Sequence, residues 1–318
     1  GFTGGAMTFD NINSYTLLGN SITIATASGP GNISVNSGAH TIASSLILNA
    51  DTIFTSATNS GLAVTGNLTA AGRTITKAGL GTTQFNNVRA AALNVTAGSV
   101  KISAKGTANS PAGTSILQQL LISGGANLDL SNNSMIVDYS GPIGTQVSDI
   151  RNHLKNGRLT SSSTTSTTRL GYGDNTLLHK SSFAGQSVDS SSILIKYTYA
   201  GDSDLDGDAD GVDIGTWATN FTGELGGTGS MVWTQGDWDY DGDVDGVDAG
   251  LWAQAFTGEL GGAGLGSLVV DDPNIAPAAA TVLRSMGITV VPEPAITGVM
   301  GLLLGSILRR RRLCRGVS

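Results

Sequence analysis

Cysteine and charge are both scarce in this chain of 318 residues. The only cysteine, Cys314, lies near the C-terminus, so no disulfide can form within one chain. Charged residues make up 13% of the sequence, where about 25% is usual, and glycine occurs 45 times. These values exclude a disulfide-stapled fold. They are typical of an exported, repetitive, β-rich protein that is stabilised without disulfides.

Catalytic motifs are also lacking. The three histidines, His40, His153 and His179, are scattered, and each is expected to be a surface or structural residue. The sequence contains no G-x-S-x-G elbow, H-E-x-x-H helix or phosphate loop. Asp129 and Asp138 are one acidic pair that could act on polysaccharide, although surface strand ends are the expected role. We therefore assign no catalytic residue, and a polysaccharide-degrading enzyme (a glycoside hydrolase or lyase) stays an alternative.

Lysine and arginine are absent from residues 201–260, which hold fourteen of the 24 acids in the chain. The net charge of −7 comes from this segment, because the other ten acids (24 minus 14) face 17 basic residues elsewhere. A nucleic-acid partner is therefore not expected.

Most of these acids belong to a 12-residue motif that occurs twice, 35 residues apart, at Asp202–Asp213 (loop 1) and Asp237–Asp248 (loop 2). Both loops place carboxylates at positions 1, 3, 5, 7, 9 and 12 and glycine at position 6, the pattern of an EF-hand-type loop. Calcium is a hard cation that takes six to eight oxygen ligands, with position 7 using its backbone carbonyl and position 9 often a water. The sequence predicts two Ca²⁺ sites with the ligands Asp202, Asp204, Asp206, Asp208, Asp210, Asp213, Asp237, Asp239, Asp241, Asp243, Asp245 and Asp248.

An amphipathic helix is predicted after each loop. Apolar residues recur there at i, i+3, i+4 and i+7, the spacing of one helical face. The two stripes are Ile214, Trp217, Ala218, Phe221 and Ala249, Trp252, Ala253, Phe256. No helical pattern precedes either loop, so the unit is a loop followed by a helix.

This repeated unit resembles the dockerin type I family over about residues 200–262. The resemblance implies a pair of calcium loop–helix repeats that docks onto a cohesin partner or tethers a protein to a surface assembly. Positions 10 and 11, often Ser/Thr in that family, are Gly211-Val212 and Gly246-Val247 here. The expected partner is therefore a cohesin-like or other surface protein. A solvated acidic linker and another Asp-rich calcium repeat are the alternatives.

Short alternating apolar runs separated by Gly, Asn and Ser fill residues 10–145 and predict half-buried strands. Glycines at 38, 66, 98 and 124 follow such runs at spacings of 28, 32 and 26 residues, a solenoid-like period. The sequence predicts a right-handed β-helix, with a β-sandwich as the alternative. The segment Lys77–Phe85 resembles the K-x-G-x-G-T signature of autotransporter-associated β-strand repeats.

The C-terminal end combines Pro292-Glu293-Pro294, the apolar run Ala295–Leu308 and four arginines, Arg309–Arg312. This order resembles the PEP-CTERM sorting signal of Gram-negative bacteria. The resemblance implies a transient inner-membrane helix, cleavage by an exosortase, and release to the envelope surface or beyond. The positive-inside rule agrees with the arginine cluster.

Five segments follow: a β-solenoid (1–146), an irregular junction with a final strand (147–200), the calcium module (201–262), a linker (263–290) and the sorting tail (291–318). Within the junction, a short helix near 147–154 and a mobile loop at 161–168 are expected. The start at Gly1 is expected to lie inside a longer repetitive region. The predicted function is that of an exported cell-surface protein, with a β-helical stalk or adhesin-like region and a calcium-dependent anchoring module. A structural matrix protein is a further alternative, and polysaccharide is a possible ligand.

Overall fold

The fold was analysed in a computed structural model that describes residues 1–223, 229–258, 268–271 and 275–291. The chain is mainly β with few helices. Within the described ranges, no helix is both long and apolar enough to cross a membrane. The predicted C-terminal membrane helix falls in residues 292–318, outside the described residues.

Short strands make up about half of the first 200 residues, as the alternating runs predict. The strands are β1 (Phe2–Gly4), β2 (Ala6–Asp10), β3 (Thr16–Leu17), β4 (Ile22–Ile24), β5 (Gly31–Ser37), β6 (Ala39–Ile42), β7 (Leu46–Leu48), β8 (Thr52–Ser56), β9 (Gly61–Val64), β10 (Leu68–Ala78), β11 (Thr82–Phe85), β12 (Arg89–Val95), β13 (Ser99–Ile102), β14 (Ser115–Ile122), β15 (Asn127–Asp129), β16 (Met135–Asp138), β17 (Leu159–Thr160), β18 (Thr168–Asp174), β19 (Ser182–Phe183), β20 (Gln186–Ser187), β21 (Ser192–Tyr199), β22 (Val269–Val270) and β23 (Thr289–Val290). The helices are α1 (Gln146–Lys155), α2 (Asn175–Leu178), α3 (Gly211–Asn220), α4 (Gly246–Ala255), α5 (Pro277–Ser285) and a 3₁₀ turn at Trp233–Gln235.

Two large sheets contain most of these strands, and β19-β20 and β22-β23 form two further two-stranded sheets. The seven-stranded sheet runs β17-β15-β13-β11-β9-β6-β3, and every pair in it is parallel. In the twelve-stranded sheet, β7 pairs with the first part of β10 and β8 pairs with its second part. The strands β12, β14 and β16 continue that sheet in parallel, and β21 and β18 close it antiparallel.

The spacing between paired strands is shorter and less regular than predicted. Thr41 pairs with Ala63, Ala63 with Gln84, and Gln84 with Lys101, which gives steps of 22, 21 and 17 residues by subtraction. The predicted spacings of 26 to 32 residues were wrong here, because the chosen glycines do not follow equivalent strands. Gly66 follows β9 of the seven-stranded sheet, whereas Gly38, Gly98 and Gly124 follow strands of the twelve-stranded sheet.

Alternate residues of the strands build the core. In β5, Ile33 and Val35 are buried while the residues beside them point outward. Phe54 of β8 meets Phe85 of β11 edge-on, with ring centroids 5.2 Å apart. Burying one such aromatic side chain contributes about 1.5–3 kcal/mol, so the buried apolar residues of these strands stabilise this region.

The Lys77 side chain has a structural role inside this core. It is fully buried, and its Nζ donates hydrogen bonds to the carbonyl oxygens of Ala78, Gly79 and Ala97 at 2.8, 2.7 and 3.2 Å. Burial lowers the pKa of this ammonium to about 8. The lysine therefore satisfies three backbone acceptors at one turn of the chain. This explains why a lysine precedes the glycine in the Lys-x-Gly part of the segment.

The junction is more ordered than predicted. The short helix is confirmed as α1, and β17 extends the seven-stranded sheet beyond the predicted boundary at residue 146. The segment expected to be a mobile loop is held in place, because the Ser162 amide donates to Asp129 and the Tyr197 hydroxyl donates to the Ser163 carbonyl, both at 2.8 Å. The predicted final strand is confirmed as β21.

Residues 263–290 were predicted to be a linker, and the part of them that the structure describes instead forms a small unit. Strand β22 pairs in parallel with β23, and α5 connects them. Ala279, Ala280 and Leu283 bury one face of α5, and Pro277 opens the helix. The alanine and proline content suggested a spacer, but it also suits a short helix that begins at proline.

Candidate metal centre

The two loops have the same backbone. The residues at position 4, Leu205 and Tyr240, and the glycines at position 6, Gly207 and Gly242, all have positive φ. Glycine is needed at position 6 for space as well, since a Cβ at Gly242 would lie 2.7 Å from backbone atoms of Gly229. The helices predicted after the loops are confirmed as α3 and α4.

The tryptophan of each repeat donates a hydrogen bond to the loop of the other repeat. The Trp217 indole N–H of α3 donates to the Asp245 carbonyl at 2.8 Å, and the Trp252 indole of α4 donates to the Asp210 carbonyl at 3.0 Å. Both indoles are fully buried. This reciprocal exchange fixes the backbone of each loop at position 9.

The carboxylates at positions 9 and 12 also begin the helices. Asp210 caps α3 and Asp245 caps α4, and the carboxylates of Asp213 and Asp248 accept the Asp210 and Asp245 amides in return. This reciprocal capping box holds the position 12 side chain toward its own loop. The loop and the helix therefore form one unit in each repeat.

The structure brings the predicted ligands together in four groups of three. In each group, one oxygen per residue lies within 4.8 Å of the others. The groups are Asp202/Asp204/Asp206 and Asp208/Asp210/Asp213 in loop 1, and Asp237/Asp239/Asp248 and Asp243/Asp245/Asp248 in loop 2. Asp241 is the predicted ligand outside these groups, and its backbone carbonyl accepts a hydrogen bond from Lys155 Nζ at 2.9 Å. These clusters could hold a metal ion.

Burial makes four of these carboxylates unusually weak acids in the absence of a cation. It raises the pKa of Asp202 to about 6, of Asp237 to about 7, and of Asp213 and Asp248 to about 8. Neighbouring carboxylates act in the same direction. Backbone amides oppose the rise at Asp213, Asp237 and Asp248, the Lys196 ammonium opposes it at Asp202, and the Arg151 guanidinium opposes it at Asp237. A bound divalent cation would favour the ionised form of all four.

Asp237, at position 1 of loop 2, is the most informative of these residues. Its side chain is fully buried, and neither carboxylate oxygen has a hydrogen-bond donor in normal geometry among the described residues. The Gly242 amide offsets only part of the effect of burial on its pKa. A buried carboxylate without such donors is costly unless a cation satisfies it, so this residue fits a metal ligand.

Asp202, at position 1 of loop 1, has a different environment. It accepts hydrogen bonds from the Asp206 amide at 3.0 Å and from the Thr198 hydroxyl. Lys196 Nζ lies 3.6 Å from its Oδ2. Lys196 and Thr198 lie in β21 and show no loop pattern, so the sequence alone does not place them beside loop 1.

The loops rest directly on the β-region. The Trp233 indole donates to the Asp202 carbonyl, and the Tyr240 hydroxyl donates to the Leu170 carbonyl of β18 at 3.0 Å. Arg151 of α1 donates to the Met231 carbonyl at 2.7 Å. Both repeats are therefore attached to the end of the twelve-stranded sheet.

The remaining candidates lie apart from this centre. Asp129 is in β15 of one sheet, where it forms an ion pair with Lys101 at 3.3 Å, and Asp138 is in β16 of the other sheet. His40 is buried and stacked between Phe9 and Tyr15, with ring centroids at 4.9 and 5.4 Å. The contacts of Asp129 and His40 therefore indicate a structural role for both residues.

Comparison with known proteins adds no assignment, since no family model, curated protein or solved structure matches the chain.

Proposed function

We propose that loops 1 and 2 each bind a calcium ion and that the bound ions hold the C-terminal part of this protein in its folded form. The observation that carries the proposal is Asp237, a fully buried carboxylate whose oxygens have no donor in normal geometry within the described residues. Ten further acids of the two loops lie in the carboxylate groups described above. A set of ligands that are all oxygen atoms suits calcium better than zinc or copper.

Calorimetric titration of the full chain with calcium chloride tests this proposal, and two bound equivalents are expected. Asp237→Asn keeps the shape of the side chain but removes its charge, so it is expected to weaken calcium binding in loop 2 by at least about tenfold. Asp51→Asn is the matched control, because it makes the same change at an aspartate outside the two loops. Asp51 lies in the β-region, where it accepts the Thr74 amide at 2.9 Å. Absence of binding at millimolar calcium would contradict the proposal.

We further propose that the calcium-bound module anchors the protein to a cohesin-like or other surface protein outside the cell. Val212 and Val247, at position 11 of the two loops, support this role because they are 65% and 57% exposed, and the repeat relates them to each other. An exposed apolar residue at the same position of both repeats offers apolar area that a partner would cover.

Capture of one partner from the exported protein fraction tests the anchoring role. Capture is expected to require calcium and to fall at least about tenfold in a Val212→Gln/Val247→Gln variant, since apolar contact area is lost at both positions. Leu80→Gln is the control, because Leu80 is 69% exposed in the β-region. Calcium-dependent folding with no partner would instead favour a structural matrix protein.

The β-region itself is proposed to be a right-handed β-helical stalk. Parallel pairing throughout the seven-stranded sheet supports this, because a β-sandwich is built from antiparallel strands. An experimental structure with antiparallel pairing of these strands would contradict it. The enzyme alternative is less favoured, since Asp129 and Asp138 lie in different sheets.

A further inference from the structure

A positive charge from the β-region lies inside loop 1. Lys196 of β21 places its Nζ 3.6 Å from Asp202 Oδ2 and donates to the Leu205 carbonyl at 2.8 Å. Its side chain is only 13% exposed, so solvent screens this charge weakly. A Cβ at Gly207 would lie 3.0 Å from the same nitrogen, which shows how closely the ammonium approaches position 6 of the loop.

The repeat supplies an internal comparison for this lysine. Adding the offset of 35 residues to Lys196 gives Met231, and adding it to Thr198 gives Trp233. Loop 2 therefore has a thioether and an indole where loop 1 has an ammonium and a hydroxyl. Its basic neighbours are Lys155, which donates to the Asp241 carbonyl, and Arg151, which donates to the Met231 carbonyl, and among the described residues neither forms an ion pair with Asp237. The difference matches the carboxylates at position 1, since Asp202 is hydrogen-bonded and ion-paired while Asp237 has no donor in normal geometry among the described residues.

We propose that Lys196 is a built-in counter-cation of loop 1, which makes loop 1 the weaker of two unequal calcium sites. This inference rests on the proposed calcium binding. The ammonium neutralises part of the charge that would attract calcium and repels the incoming ion. The same charge reduces carboxylate repulsion in loop 1 before calcium binds, so loop 1 depends less on the metal for its folding than loop 2 does.

Lys196→Met tests the proposal, because it gives loop 1 the residue that loop 2 carries. In calorimetric titration of the full chain with calcium chloride at pH 7.5, the wild type is expected to show two affinities. The variant is expected to bind calcium at the weaker site about tenfold more tightly. Its calcium-free form is expected to melt at a lower temperature than the calcium-free wild type, because Asp202 loses its counter-ion.

These opposite effects separate a counter-cation from a residue that only packs. A packing role would lower both the calcium affinity and the calcium-free stability, and that result would overturn the proposal, as would equal affinities in the wild type with no change in the variant. Lys196→Arg keeps the charge and is expected to retain the weak site. Lys101→Met removes a lysine whose partner is Asp129, and it is expected to leave both affinities unchanged. If neither the wild type nor Lys196→Met binds calcium, the proposed function fails instead.

Discussion

Without calcium, the stability of this protein is expected to fall by several kcal/mol as the pH rises from 5 to 8. Burial raises the pKa of Asp202, Asp237, Asp213 and Asp248 to between about 6 and 8, well above the 3.8 of an unperturbed carboxyl. An acid with a raised pKa in the folded state binds its proton more tightly there than in the unfolded state. Its contribution to stability is therefore fully present below pH 3.8 and is lost as the pH rises through the folded-state pKa.

Asp237 alone illustrates how large the loss of stability is. For Asp237, a pKa that rises from 3.8 to about 7 corresponds to ~4 kcal/mol of stability lost above pH 7. A whole domain has only about 5–15 kcal/mol of net stability. The calcium-free module is therefore expected to be partly or wholly unfolded at pH 8.

Calcium is expected to reverse this dependence, because it binds the ionised carboxylates and so becomes more effective as they lose their protons. At a free concentration 100 times its dissociation constant, each ion adds about 2.7 kcal/mol. All four tryptophans of the chain, Trp217, Trp233, Trp238 and Trp252, are fully buried in this segment. Tryptophan emission during thermal melting thus reports on this segment and on its contact with β18. Equal melting temperatures at pH 5 and pH 8 in chelator would contradict the expectation.

The loops and their helices were predictable because their determinants are local. Glycine at position 6 and carboxylates at alternate positions fix the turn, and the capping aspartates Asp210 and Asp245 fix where each helix begins. The apolar stripes then specify the buried faces. The strands were predictable for the same reason, since alternation within four to eight residues decides which side chains are buried.

The contacts between segments were not predictable, because nothing local encodes them. Lys196 is an ordinary strand residue until β21 places it beside Asp202. Lys77 likewise looks like a surface lysine within an alternating run, yet it is buried among three carbonyls. The predicted spacing was wrong because the number of residues between paired strands varies, and one type of marker residue does not follow that variation.

Gly171→Val is expected to destabilise the protein by about 3 kcal/mol and to loosen the attachment of both repeats to the β-region. Gly171 lies in β18, where a Cβ would be 2.7 Å from Leu205 Cδ2 and 2.8 Å from Trp233 Nε1. Leu205 belongs to loop 1, and the Trp233 indole bonds the carbonyl of Asp202. A side chain at this position therefore has to displace residues next to both loops at once.

The matched control for this variant is Gly215→Val, which adds the same side chain on α3, where a Cβ has no described atom within 4 Å. Valine has a slightly better helix propensity than glycine, so this change is expected to be neutral or stabilising by a few tenths of a kcal/mol. Urea unfolding monitored by tryptophan emission and by circular dichroism measures the change in the free energy of unfolding for both variants. If the module docks on β18 as the contacts indicate, Gly171→Val lowers the urea midpoint detected by tryptophan emission. It also weakens calcium binding, because the hydrogen bond from the Trp233 indole to the Asp202 carbonyl helps to fix position 1 of loop 1. A Gly171→Val variant with an unchanged midpoint and unchanged calcium affinity would mean that the repeats fold independently of the sheet.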